Sequence, residues 1–84
     1  MTTDEIKKLI EAGIESAQVI VTGEGGMFDT TVISDKFDGL SAVKKQQMVY
    51  AAVNSQISSG DIHALSIKAY TPEQWKTASK LQIG

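Results

Sequence analysis

Gln56-Ile-Ser-Ser-Gly-Asp-Ile-His-Ala-Leu-Ser-Ile-Lys-Ala-Tyr-Thr-Pro-Glu-Gln-Trp75 changes its hydrophobic period twice. Up to Ser58 it continues a helical pattern that begins near Ser41, and Gly60 supplies a stop. From Ile62 to Ala69 the period drops to two, with His63, Leu65, Ile67 and Ala69 on one face and Ile62, Ala64, Ser66 and Lys68 on the other. Thr71 then caps a new helix. Pro72 is its first residue, Gln74 is placed to bond back, and Tyr70 and Trp75 stand at the positions of a hydrophobic staple. A strand reached through a helix of this length is predicted to lie parallel to the strand before it, by a right-handed crossover.

The predicted helix over 41–58 puts Val43, Val49, Tyr50, Val53 and Ile57 in one arc, with Lys44, Lys45, Gln47, Met48, Ala51 and Ser55 outside it. Gln46 falls inside the arc, where a buried amide needs backbone partners. Upstream, 18–22 and 28–34 are β-branched runs joined across Gly23-Glu24-Gly25-Gly26, which predicts an antiparallel hairpin. That glycine loop joins two strands and carries an acid, so it does not suit phosphate binding, which uses a strand-to-helix junction. The first helix starts with Thr2 and Glu5 as a capping box and stripes Ile6, Leu9 and Ile10, with Ile14 at the edge. Asp4 and Lys8 are spaced as an ion pair, and Gly13 is placed to end the helix. The order is α-β-β-α-β-α: one α+β domain over 1–84, a three-stranded mixed sheet with helices packed on one face.

With 84 residues, 42% hydrophobic and 21% charged, the chain is of ordinary globular composition. It has no cysteine, which excludes a disulfide framework, a thiol nucleophile and a self-contained iron–sulfur site. One histidine and no recognisable triad argue against an enzyme; Asp61 two residues before His63 is a pairing common by chance. All 8 cations are lysine against 10 acids, a net charge of −2. The first thirty residues hold the acidic excess, and the remainder is mildly basic. No signal-peptide pattern opens the chain, and the longest uncharged run, Gln46 to Gly60, is 15 residues with Gln, Asn and Ser throughout, too short and too polar to span a bilayer. A cytoplasmic protein is expected.

Four segments in register resemble the BolA family, and within it the IbaG-like branch. They are Phe37-Asp-Gly39, Val43-Lys-Lys-Gln-Gln-Met-Val-Tyr50, Ile62-His-Ala-Leu-Ser-Ile67 and Tyr70-Thr-Pro-Glu-Gln-Trp75. The resemblance runs from about Val19 to Leu81. It implies a small fold related to the class II KH domains, in agreement with the element order above.

For function, the resemblance implies an adaptor that pairs with a monothiol glutaredoxin in iron–sulfur cluster handling or in iron and stress regulation. The glutaredoxin and its glutathione would bring thiolates to a shared [2Fe–2S] cluster, and His63 would bring an imidazole, so the isolated chain holds none tightly. Many members carry a second His or Cys ligand just before the hairpin Phe; Met27 stands there, a weak and uncharged donor. A one-ligand site and a metal-free docking module both follow. The alternative is a DNA-binding transcriptional regulator acting through the helix of Lys44, Lys45 and Gln47, a surface equally suited to a protein partner. Two or three lysines neutralise few phosphates and arginine is absent, so DNA is the weaker reading. Alone, the chain is expected to be a monomer or weak homodimer.

Overall fold

The computed structural model describes residues 1–83, with side chains to residue 80; Gly84, the last residue of the expected domain, lies outside the described residues. Helix α1 (Thr3–Gly13) is followed by strands β1 (Gln18–Glu24) and β2 (Met27–Ile33) and a single 3-10 turn at Asp35–Phe37. Helices α2 (Ala42–Ala52) and α3 (Asn54–Ser59), strand β3 (Ala64–Tyr70) and helix α4 (Pro72–Ile83) complete the chain. The sheet order is β1-β2-β3, with β1 antiparallel and β3 parallel to β2. The parallel pairing of β3 with β2 and the mixed sheet are as expected from the change of period at Gly60.

One face of the sheet holds the core. Val19 and Val21, then Phe28, Thr30 and Val32, then Leu65, Ile67 and Ala69 line it in register. Ile6 and Ile10 of α1, Ile14 just after it, Val49 and Val53 around α2, and Phe37 pack against it. The opposite face is open: Gln18, Ile20, Thr22, Asp29, Ser66 and Lys68 are exposed. Antiparallel ladders with one wet face need this alternation, which is why β1 was legible from its β-branched run.

Local signals explain most boundaries. Thr2 Oγ1 accepts from the Glu5 N–H at 3.2 Å and starts α1. Gly25 and Gly26 both have positive φ, 66° and 82°, which suits the two-residue hairpin loop that pairs Glu24 with Met27. Gly60 at φ 86° ends α3. Thr71 and Gln74 form the reciprocal cap, Gln74 N–H to Thr71 Oγ1 at 3.2 Å and Thr71 N–H to Gln74 Oε1 at 2.9 Å. The Tyr70 and Trp75 rings meet at 5.5 Å between centroids.

Five expectations are corrected. Gly13 stays helical and does not cap α1; Ser16 takes the left-handed conformation at φ 56° instead. The reason for a glycine at 13 is close approach, since a Cβ there would stand 2.9 Å from the Ala52 Cβ of α2. Asp4 and Lys8 do not pair; the ion pair among the described residues is Lys36–Glu15 at 3.6 Å. The long helix breaks at Val53 (φ −124°, ψ 16°), whose N–H bonds Tyr50 in a tightened turn. Its apolar arc is also rotated from the expected one. Val43 is 65% exposed and Gln46 is exposed, while Lys45, Val49 and Val53 point inward. Last, β3 begins at Ala64, so Ile62 escapes the strand alternation and is buried in the core.

Candidate functional site at the hairpin tip

The hairpin tip and the start of β3 are tied by the Gly26 carbonyl. It accepts from the His63 N–H at 2.7 Å and from the Ala64 N–H at 3.0 Å, which pins the backbone of His63 immediately before the strand. The parallel ladder then places Met27 beside Ala64. The edge of the His63 ring lies over Gly26, so closely that a methyl group at 26 would overlap it. Gly26 thus has two reasons to be glycine: its positive φ and the imidazole above it.

His63 is exposed, and its ring nitrogens make no hydrogen bond among the described residues. Met27 is 65% exposed at the same tip. The pleat assigns Met27 to the open face with Ala64 and Ser66, where a shallow groove runs between Met27, Asp29, Ala64 and Ser66. The two backbones adjoin, and the imidazole is the donor available to an approaching molecule. Asp61 is exposed, its backbone N–H donates to Ser59 Oγ at 3.4 Å, and among the described residues no carboxylate bonds the ring. Among the described residues no group of three His, Cys, Asp or Glu side chains converges. A metal centre at this tip would need its other ligands from outside the chain; one neutral imidazole fits that part, and a thioether fits it weakly.

The lysine surface is smaller than expected. Lys44 and Gln47 are exposed on α2, but Lys45 is only 8% exposed. Its stem runs inward and Nζ donates to Gln74 Oε1 at 2.9 Å, the same oxygen that caps α4. Lys45 is therefore a strut between α2 and α4 and not a contact for phosphate. Sequence periodicity missed it because a lysine scores as polar whichever way its stem lies.

The BolA-like protein family model matches residues 7–74. The acid stress protein IbaG of Escherichia coli K12 is 41% identical over 81 residues, covering 96% of each chain. Among solved structures, a BolA homologue from Coxiella burnetii superposes with a TM-score of 0.81 at 40% identity, covering 90% of this chain and 97% of its own. Yeast Fra2 superposes with a TM-score of 0.72 at 36% identity, covering 89% and 84%. No described helix is long and apolar enough to cross a membrane. With the family model matched over most of the chain and these relatives aligned along nearly its whole length, the chain belongs to the BolA family, in its IbaG-like branch.

Proposed function

We propose that the chain is an adaptor that pairs with a monothiol glutaredoxin and lends one imidazole to a shared [2Fe–2S] cluster. The observation that carries this reading is the His63 ring, exposed, without a hydrogen bond to any described residue and lying over Gly26 at the hairpin tip. An imidazole in place of a thiolate raises the potential of one iron and stabilises the cluster against loss to thiol acceptors. Met27 adds little charge or hardness to such a site, so the partner supplies the remaining ligands. The chain's own residues do no chemistry on the cluster: they present the ring, and the Gly26 carbonyl fixes where it stands.

The test is co-purification with a monothiol glutaredoxin and cluster reconstitution, wild type against His63→Ala. A distinct visible circular dichroism spectrum for wild type, lost in the variant while the proteins still associate, is expected. Identical spectra would remove the ligand role, and no complex would remove the adaptor. A DNA-binding regulator remains the second reading, with less to support it now that Lys45 is engaged by Gln74. It requires a salt-dependent complex with duplex DNA that weakens on Lys44→Ala.

A further inference from the structure

The sheet has two free edges, and they are not equally protected. Both edge strands lie against helices, β1 against α1 and β3 against α2 and α4, but only β3 carries a lysine, the exposed Lys68 near its middle. A lysine there discourages pairing. Strand β1, Gln18-Val-Ile-Val-Thr-Gly-Glu24, has no lysine, no proline and no charge before its last residue.

An open groove runs beside β1, lined by Val19, Ile20 and Val21 and by Thr3, Asp4 and Lys7 of α1. Val19 and Val21 face the core while Ile20 faces the open side, so a groove touched by all three lies along the strand's edge. The backbone points there too. The two-residue loop makes Glu24–Met27 a hydrogen-bonded pair, and ladder alternation puts Thr22–Asp29 and Ile20–Thr31 in the same class. The N–H and C=O groups of Val19 and Val21 then point away from β2, and no other described group bonds them.

We propose that a second copy of this chain adds to this edge, β1 against β1, antiparallel about a two-fold axis at Ile20. In that register Val19 of one chain exchanges both backbone hydrogen bonds with Val21 of the other, and the reverse. Ile20, 42% exposed in the single chain, meets its own symmetry mate in a close, non-hydrogen-bonded pair. The same axis sets the two α1 helices antiparallel. Asp4 of each then stands opposite Lys7 of the other, so the groove wall is complementary to itself in charge. The outer edges of the joined sheet are both the guarded β3, and association stops at the dimer. Edge pairing buries less than the roughly 800 Å² per partner of a standard interface, so the dimer forms reversibly with concentration. None of this depends on the glutaredoxin reading.

Sedimentation velocity over a concentration series tests the proposal with wild type, Ile20→Lys, Asp4→Lys and the double swap Asp4→Lys/Lys7→Asp. Wild type is expected to rise toward twice the monomer mass. Ile20→Lys, which sets two cations at the axis, is expected to stay monomeric where wild type is half dimer. Asp4→Lys should weaken association, and the swap should recover it. Amide exchange on wild type is the check that needs no variant: Val19 and Val21 should gain protection as concentration rises, while Ile20 should not. A wild type that stays monomeric throughout overturns the proposal. So does a dimer indifferent to Ile20→Lys, or one that forms without protecting Val19 and Val21.

Discussion

Thr30 places a hydroxyl on the core face of the central strand, opposite Val21 and Ile67, where it finds no hydrogen-bond partner among the described residues. A buried orphan of this kind costs about 1–3 kcal/mol in lost hydration. Thr30→Val keeps the β-branched shape and removes the orphan, so it should raise stability by about 1 kcal/mol. The check is a higher urea midpoint at unchanged slope, and a lower midpoint would mean that the hydroxyl is bonded after all. At the tip, Gly25 and Gly26 share positive φ but differ in surroundings. A Cβ at 25 meets nothing, whereas one at 26 meets the imidazole. Gly25→Ala should therefore cost only the backbone term, about 1 kcal/mol, and leave the His63 ring resonances where they are. Gly26→Ala should cost more, about 2 kcal/mol or above, and move those resonances. Equal costs, or an unmoved ring, would detach His63 from the loop. His63 was legible as a candidate through the resemblance carried by Ile62-His-Ala64, since a lone histidine is by itself more often structural. Its true setting was not, because the alternation that placed it on the core face begins one residue later, at Ala64.

The elements with strong ends were legible in full, whereas the helix with a weak pattern was legible in its span but not in its inward face or its break. Helix α4 announces itself through Thr71, Pro72 and Gln74, all local contacts, and each is found. Helix α2 spreads its apolar residues around its circumference and has no sharp face. Its inward side is built from Lys45, Met48, Val49, Ala52 and Val53, where a lysine stem and an alanine stand in for large apolar groups. Those choices depend on neighbours distant in sequence: Gly13 opposite Ala52, and Gln74 opposite Lys45. The Gln74 side chain thus serves two elements at once. Gln74→Ala should remove the return bond of the α4 cap and leave the Lys45 ammonium without its partner, for a loss of about 1–3 kcal/mol in thermal or urea melts. In a Lys45→Met background the same substitution should cost less, because the cation is gone. Additive losses would show that the two contacts are independent.

At the scale of the molecule, stability should be graded from the centre of the sheet outward. Strand β2 is paired on both sides and carries Phe28, Thr30 and Val32 into the core, together with Ile33 buried at its end. Helix α4 is attached differently. Among its described side chains none is fully buried; Trp75, Ala78 and Ser79 are half-buried, and its firm contacts are the Tyr70–Trp75 pair and the Lys45–Gln74 bond at its first turn. Little apolar area holds it down, and its hydrogen bonds are mostly exposed to water, the conditions for opening without the rest of the fold. Native-state hydrogen exchange should accordingly find β2 amides exchanging only through global unfolding, with α4 amides exchanging through a much cheaper local opening. Gln74→Ala should speed exchange across α4 while leaving β2 protection lowered only by the global loss. If α4 and β2 exchange with the same free energy, the helix is part of one cooperative unit, and the strut at Lys45 carries more than its single hydrogen bond implies.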